Sequence, residues 1–240
     1  TITGKIGSWP YIRMTAGLMA HFGINPKIDG NKISIKPGRY SPANLRIEPD
    51  WSAASYWYSM VALSGKPVIL KDVISDSFQG DRSIVEIMKP LGVQSEFSSQ
   101  GLSLSPASFE KEASFDFTDT PDLAQTIAVT CAVKGIKCRM TGLESLRIKE
   151  TDRIAALQNE LGKFGARLEE DQNQWLLIPS EEPIPKSVEI DTYEDHRMAM
   201  AFAPLATKTR VIINDPKVVR KSYPSFWDDL NSAGFTVKFN

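Results

Sequence analysis

The fold of this chain is decided by the stretch TPDLAQTIAVTCAVKG, which runs from Thr120 to Gly135. Thr120 is a typical N-cap, and Pro121 suits the first helical position because its missing N–H would be unpaired there in any case. The residues from Ala124 to Val133 are apolar on nearly every side, so a helix made of them has to be covered all round. The stretch therefore predicts a helix in the interior of a domain.

The same unit occurs three times along the chain: a polar start, an apolar helix, a turn and a β-rich run. The first copy runs from Asp50 to Gly65 and the third from Asp195 to Lys208, and a run of aliphatic residues follows each. The helix ends at Gly65, Gly135 and Lys208 are 70 and 73 residues apart. A period of this length indicates a repeated supersecondary module.

A second unit is a one-sided amphipathic helix that ends in glycine and runs into a strand. Its four copies end at Gly23, Gly92, Gly165 and Gly234, which are 69, 73 and 69 residues apart. Glycine after the last helical turn supplies the left-handed conformation of a helix end. In the third copy, apolar residues at three- and four-residue spacing predict the buried face. That face is formed by Ile154, Leu157, Leu161 and Phe164, and the solvent face by Asn159, Glu160 and Lys163.

Together the two units predict an α/β domain with internal helices, a surrounding sheet and outer helices. Three complete modules are expected to begin near Asp50. Residues 1–47 have the pattern of the end of a preceding similar module, and residues 37–48 are expected to cross between two domains. The chain opens on Thr1 and reads like the interior of a longer protein, so an N-terminal portion is expected to precede it.

The composition argues against several classes of function. The chain has 240 residues and a formal net charge of −1, which gives no electrostatic reason to expect nucleic acid or an anionic membrane as a partner. The sequence contains no recognisable signal peptide and no apolar run long enough to span a bilayer. Cys131 and Cys138 have no histidine at metal-site spacing, so they are expected to be reduced core thiols of a cytoplasmic protein.

Two helix starts carry cations where the helix dipole disfavours them. Thr151 is the expected N-cap of the helix that follows it, which places Arg153 in the first turn, and His196 and Arg197 stand in a similar relation to Asp195. Free backbone N–H groups and a bidentate guanidinium together suit a phosphate or a carboxylate. Both helix starts are therefore candidate anion sites.

Each of these observations has a structural alternative. Arg153 and Arg197 could be surface arginines paired with nearby carboxylates, and the basic group of Lys217, Arg220 and Lys221 could be a solvated face. Three aspartates occupy equivalent module positions and could serve only the helix starts; they are Asp50, Asp122 and Asp195. The residues by themselves indicate an α/β protein with several anion sites, and no particular reaction.

Seven short strings extend this interpretation to a family. They are, in chain order, GSWPYI (7–12), DWSAASY (50–56), QGD (79–81), PD (121–122), LRIKETDR (146–153), DHRMAM (195–200) and KSYP (221–224). In these strings and in their order the sequence resembles the 5-enolpyruvylshikimate-3-phosphate synthases (EPSP synthases). The match covers essentially the whole chain, and the strings at 149–153 and 195–200 are the most specific.

The resemblance implies the enolpyruvyl transferase fold, an inside-out α/β barrel-like domain of three βαβαββ repeats, with the active site between two such domains. Residues 1–47 would be the C-terminal end of the N-terminal domain, and residues 48–240 the C-terminal domain. The family reaction transfers the enolpyruvyl group of phosphoenolpyruvate to the 5-hydroxyl of shikimate 3-phosphate and releases phosphate, in aromatic amino-acid biosynthesis. These two substrates are the expected partners of a monomer that needs no cofactor and no metal.

The substrate ligands carry over by position in the matching strings. The residues that look like ligands of phosphoenolpyruvate are Arg153, Arg197 and Lys221. The residues that look like contacts of shikimate 3-phosphate are Ser8, Tyr11, Ser145 and Lys149. Ser145 stands where some family members have asparagine, and Trp51 replaces a smaller residue.

Two carboxylates look like the groups that move protons. Asp122 resembles the acceptor of the proton from the attacking 5-hydroxyl. Glu150 resembles the group that exchanges a proton with the methylene carbon of phosphoenolpyruvate. Nearby cations are expected to lower both pKa values, so that both groups are ionised in the empty site. His196 is given no catalytic role.

The remaining family elements, an early lysine and arginine, a mid-chain arginine and a Ser-Ser-Gln segment, belong before Thr1. The 240-residue chain alone is therefore expected to fold without turning over substrate. Two other functions stay open. One is a UDP-N-acetylglucosamine enolpyruvyl transferase, a family that lacks the Lys-Glu-Thr-Asp-Arg string. The other is a non-catalytic phosphometabolite-binding module of the same fold, which would need the cations but not both Asp122 and Glu150.

Overall fold

The secondary structure is mixed α/β, in a computed structural model that describes residues 1–4 and 6–239. Its α-helices are α1 (Trp9–His21), α2 (Trp51–Ser64), α3 (Ile84–Ile87), α4 (Ala124–Lys134), α5 (Arg153–Gly162), α6 (His196–Phe202) and α7 (Phe226–Ser232). Its strands are β1 (Lys27–Asp29), β2 (Lys32–Ser34), β3 (Val68–Leu70), β4 (Val93–Ser98), β5 (Gly101–Pro106), β6 (Glu112–Asp116), β7 (Lys137–Thr141), β8 (Arg167–Asp171), β9 (Gln174–Ile178), β10 (Ser187–Ile190) and β11 (Arg210–Ile213).

The helices α2, α4 and α6 form the interior, as the apolar stretches predict. Nearly every side chain of each is buried, and the three helices pack against one another. The hydroxyls of Ser55 and Thr126 approach to 3.2 Å, and those of Ser59 and Thr130 to 2.8 Å. Because both pairs advance by four residues on each helix, α2 and α4 run parallel and begin at the same end of the molecule.

The stretch from β6 to β9 is one complete module. Its elements follow in the order β6, α4, β7, α5, β8, β9, and its strands form a sheet of order β6-β7-β9-β8. The strands β6 and β7 are parallel, and α4 supplies the crossover that a parallel pair requires. The strand β9 runs antiparallel to both β7 and β8.

The prediction of three complete modules is wrong for the described residues. The module that starts at α2 has no strand before that helix and forms the sheet β3-β5-β4, whereas the last module has the parallel pair β10-β11 and no strand after α7. The strand predicted after Gly234 does not form among the described residues, where the N–H of Val237 donates to the side chain of Asn231 at 2.9 Å. The described residues form four separate sheets, which do not close into a barrel.

The outer helices end shortly before the glycines that mark their predicted ends: α1 and α7 end two residues before, α5 three and α3 five. Gly23, Gly92, Gly165 and Gly234 all have a positive φ, between +81° and +95°. The helix α5 buries its predicted apolar stripe, but the prediction that Glu160 faces solvent is wrong, since this side chain is 0% exposed. Position 160 is three residues after Leu157 and therefore lies on the buried face of the helix.

Residues 1–47 contain α1 and the antiparallel hairpin β1–β2. This order of helix, strand and strand is also that of α5, β8 and β9. The start of α1 lies against the loop before α4, where the N–H of Ser8 donates to the carbonyl of Thr118 at 3.1 Å and the N–H of Trp9 donates to Asp119 at 3.2 Å. Residues 35–50, which follow, contain no helix or strand.

Cys131 and Cys138 are buried free thiols, as predicted. Burial, reinforced by the neighbouring Cys138, raises the pKa of the Cys131 thiol well above its usual range. Such a thiol is a core residue and a poor nucleophile. In the part of the chain that the structure describes, no helix is long and apolar enough to cross a membrane.

Gly101 begins β5 at a position that excludes a side chain. A methyl group there would overlap the carbonyl oxygen of Leu70, and the backbone φ is +122°. We expect Gly101→Ala to lower the free energy of unfolding by about 2–4 kcal/mol, measured by urea denaturation. Gly162→Ala, at the end of α5 with nothing within 4 Å, is the matched control and should be neutral or slightly stabilising. Equal stability of the two variants would contradict this account.

Candidate active site

The helix α5 begins one residue later than the sequence predicts. Asp152, and not Thr151, is its N-cap, and the Asp152 carboxylate accepts the N–H groups of Ile154 and Ala155, each at 3.1 Å. One carboxylate thus pairs two of the free N–H groups at the helix start, which favours this residue over the neighbouring threonine. Arg153 is then the first residue of the helix.

The guanidinium of Arg153 is the centre of the site. It donates to Asp195 through Nε at 2.6 Å, to Asp122 through Nη1 at 3.0 Å and to Glu150 through Nη2 at 2.6 Å. The side chain is 1% exposed, so Arg153 is not a surface arginine. A buried guanidinium is tolerated only when its charge is paired and its N–H groups are bonded, and three carboxylates meet both conditions here.

Asp195 connects Arg153 to the start of α6. Its carboxylate holds Arg153 through both oxygens, at 2.6 and 3.3 Å, and also accepts the N–H of Arg197 at 2.8 Å as the N-cap of that helix. The capping role follows from the sequence, because an aspartate stands directly before an apolar helix. The ion pair has no local signal, because Arg153 and Asp195 are 42 positions apart.

Asp122 is placed differently from the aspartates at equivalent module positions. Asp50 and Asp195 are N-caps whose carboxylates accept helical N–H groups, at 2.8 Å in both cases. Asp122 lies inside a 3-10 turn (Pro121–Leu123) that precedes α4, and Thr120 makes no capping bond through its side chain. The alternative of a purely helix-capping role is therefore wrong for Asp122.

The carboxylate of Asp122 meets three cations and one hydroxyl. Its Oδ1 lies 3.0 Å from Arg153 and 3.5 Å from Lys149. Its Oδ2 accepts Arg197 at 3.0 Å and the hydroxyl of Tyr11 at 3.1 Å. The tertiary structure thus brings residues of four separate sequence strings into one connected group. We call this group the Arg153 cluster; its members are Tyr11, Asp122, Lys149, Glu150, Arg153, Asp195 and Arg197.

Two carboxylates of the Arg153 cluster have lowered pKa values, as the surrounding cations predict. Burial opposes ionisation of Asp122, but the charges of Arg197, Lys149 and Arg153 outweigh it and lower the pKa. Partial burial likewise opposes ionisation of Glu150, and its own backbone N–H together with Arg153 lowers the pKa in spite of it. Both groups are therefore ionised in the site as it stands.

His196 lies beside the cluster as a neutral group. Burial, together with the positive charge of Arg197, lowers the pKa of its imidazole. Its Nδ1 is 3.8 Å from Asp195, and within residues 1–4 and 6–239 this buried atom has no hydrogen-bond partner. Nearby, burial raises the pKa of Tyr56 to about 12.

The other predicted ligands lie at the edge of the cluster. Lys221 ends a 3-10 turn, is exposed, and donates to the carbonyl of Glu194 at 2.8 Å. Ser8 stands before α1 with a φ of 58°, and Ser145 is exposed in the 3-10 turn just before Lys149. Among the described residues, neither serine side chain bonds to the cluster.

Comparison with known proteins identifies the family. The model of EPSP synthase (3-phosphoshikimate 1-carboxyvinyltransferase) matches residues 1–230 of this chain. The chain belongs to the EPSP synthase family. A 3-phosphoshikimate 1-carboxyvinyltransferase of Bacteroides fragilis is 45% identical, over 99% of this chain and 59% of that protein. One of Neisseria meningitidis is 34% identical, over 99% of this chain and 56% of that protein.

Two solved structures share the fold of this EPSP synthase family member. The EPSP synthase of Acinetobacter baumannii superposes with a TM-score of 0.71 at 23% identity, over 95% of this chain and 54% of that one. The enolpyruvyl transferase NikO of Streptomyces tendae superposes with a TM-score of 0.68 at 13% identity, over 92% of this chain and 52% of that one. The chain thus spans little more than half the length of these relatives.

Replacing Asp195 by asparagine tests the pairing of Arg153. Asparagine retains a helix-capping oxygen but removes the charge, and a buried arginine that loses one of its carboxylates should destabilise the fold by about 2–4 kcal/mol in urea denaturation. Asp152→Asn makes the same change at the N-cap of α5, where the side chain is 40% exposed, and should cost about 0.5 kcal/mol or less. Equal losses of stability in the two variants would contradict the central role assigned to the ion pairs of Arg153.

Proposed function

We propose that the complete protein transfers the enolpyruvyl group of phosphoenolpyruvate to the 5-hydroxyl of shikimate 3-phosphate and releases phosphate. The observation that carries this proposal is the convergence of Asp122 and Glu150 on one buried arginine, Arg153. A site that only bound anions would be weakened by two carboxylates in its centre, whereas a site that moves two protons needs them. Membership of the EPSP synthase family supports the choice of substrates.

Phosphoenolpyruvate would take over positions that carboxylates now occupy. Arg153 and Arg197 both donate to Asp122, and two negative charges about 4 Å apart repel by roughly 4 kcal/mol at an effective dielectric of 20. The substrate and the carboxylates would therefore compete for the same guanidinium donors. Lys221, an exposed cation that donates to a backbone carbonyl, would be the third ligand.

Shikimate 3-phosphate would bind on the side of α1. Tyr11 and Lys149 both contact the carboxylate of Asp122, so a hydroxyl held by Lys149 would lie close to that carboxylate. Ser8, directly before α1, would contact the phosphate through its hydroxyl, the role that its place in the matching string implies. Ser145, in the turn before Lys149, would be a further contact.

The two carboxylates would divide the proton transfers. Asp122 would accept the proton of the 5-hydroxyl while the hydroxyl oxygen bonds to C2 of phosphoenolpyruvate. The bound substrate anions would raise the pKa of Glu150 so that it takes up a proton from solvent, and Glu150 would give this proton to the methylene carbon. The tetrahedral adduct would then return a methyl proton to Glu150 and lose phosphate, which carries away the proton held by Asp122 and leaves the double bond restored. When the substrate anions bind the arginines, the cations stabilise the Asp122 carboxylate less, so its pKa rises towards the range of a working base.

The domain assignment follows from the same proposal. Residues 1–47 would end an N-terminal domain and residues 48–240 would form the C-terminal domain, each an inside-out barrel-like arrangement of βαβαββ repeats in the complete protein. The complete module from β6 to β9 and the irregular segment 35–50 support this division. The protein would act as a monomer without a cofactor, and its free buried thiols support a reducing compartment such as the cytoplasm.

The proposal is tested with the complete gene product and both substrates. We expect phosphate release that requires phosphoenolpyruvate and shikimate 3-phosphate together. The 240-residue chain alone should not turn over, because it carries one side of the proposed cleft. A complete protein that binds shikimate 3-phosphate but releases no phosphate would be a binding module, and the proposal would then be refuted.

Asp122→Asn and Glu150→Gln test the two proton roles in the complete protein. Each should lower kcat by roughly 100- to 10,000-fold, because each removes one positioned acid or base. In deuterium oxide, Glu150→Gln should in addition abolish exchange of deuterium into the methylene group of phosphoenolpyruvate. Glu170→Gln, a half-exposed carboxylate paired with Arg147, is the control and should leave kcat unchanged. Wild-type exchange in Glu150→Gln would rule out its assigned role.

A further inference from the structure

The loop between β10 and α6 is held by a buried acid that the proposed reaction does not use. This acid is Glu160 on α5, which is 0% exposed. Its Oε1 accepts the hydroxyl of Tyr193 at 2.8 Å, and its Oε2 accepts the N–H of Asp191 at 3.0 Å. The same carboxylate pairs with Lys163 at 2.7 Å, one turn further along the helix. One side chain of α5 therefore binds the loop at two points.

The bound loop contains an unfavourable turn. Tyr193 and Glu194 both adopt the left-handed backbone conformation, with φ of 53° and 58°. Consecutive non-glycine residues adopt it only where the surrounding structure holds them. The N–H of Asp195 closes the turn on the carbonyl of Thr192 at 2.8 Å. The bond from Glu160 to Tyr193 attaches the turn to α5.

This turn sets the position of the cations proposed to bind phosphoenolpyruvate. Asp195, which follows it directly, holds Arg153 and caps the helix that carries Arg197. The carbonyl of Glu194, inside the turn, accepts Lys221. The positions of all three cations thus depend on Glu194 and Asp195, which have no substrate contact assigned to them.

We propose that Glu160 is a positioning residue for phosphoenolpyruvate. Through Tyr193 and Asp191 it fixes the left-handed turn, and the turn fixes Arg197 and Lys221. This inference rests on the proposed function, because it takes those two cations as ligands. Among the described residues, none of those assigned to shikimate 3-phosphate bonds directly to Glu160 or to the loop that it holds, so we expect Glu160 to act mainly on the binding of phosphoenolpyruvate.

Steady-state kinetics of the complete protein test the inference through Glu160→Met. Methionine has a similar length and suits an apolar interior, but it has no oxygen to accept the Tyr193 hydroxyl or the Asp191 N–H, so both bonds to the loop are lost. We expect the KM for phosphoenolpyruvate to rise roughly 10- to 100-fold, while the KM for shikimate 3-phosphate stays within about twofold. Tyr193→Phe removes only the hydroxyl bond and should cause a smaller rise for the same substrate.

Thr130→Val separates positioning from simple loss of stability. It removes a similarly buried hydrogen bond, between α4 and Ser59 of α2. It should lower the melting temperature without changing either KM. A rise in both KM values in Glu160→Met, or a rise in neither, would overturn the inference.

A crystal structure of Glu160→Met supplies a readout that does not depend on turnover. We expect the Tyr193–Glu194 turn to shift and the bond from Lys221 to Glu194 to be lost, and an unchanged turn would also overturn the inference. A wild-type protein without turnover would refute the proposed function, and the inference about substrate binding would fall with it. An active wild type with normal kinetics in the variant would refute the inference alone.

Discussion

A guanidinium can be buried only where carboxylates replace the water that it loses. Arg153 meets this condition with Asp122, Glu150 and Asp195, which precede α4, α5 and α6 respectively. The three ion pairs therefore fix three helix starts around a single point. Every other member of the Arg153 cluster lies next to one of these starts, so the geometry of the whole site depends on the burial of this one side chain.

The interior helices bring those starts together. Because α2 and α4 are apolar on nearly all sides, they pack side by side, and their paired hydroxyls show that they run parallel. Gln125 at the beginning of α4 contacts Met198 at the beginning of α6, which places the third start at the same end. The charged groups of the Arg153 cluster thus collect at one end of the helices.

The same pairing that stabilises the site also opposes its proposed use. Carboxylates of the chain now hold the arginine donors that anionic substrates would require, so binding would exchange one set of negative charges for another. A set of unpaired buried arginines would be far less stable than the paired set. The lowered pKa of Asp122 follows from this pairing, because the cations that keep the carboxylate ionised also make it a weaker base. Substrate anions bound to the same cations would reduce this effect.

The sequence by itself determined the features that are local. Patterns within a few residues predict the apolar helices, the glycines after helix ends, the α/β class and the candidate site residues. Only the tertiary structure decided that Arg153 binds Asp195, that Glu160 is buried against Tyr193, and that none of the described residues after α7 forms a strand. The first two depend on contacts between residues 42 and 33 positions apart. A strand likewise requires a partner elsewhere in the chain. Burial of a charged side chain depends on whether such a distant partner is present, and a local pattern contains no information about that.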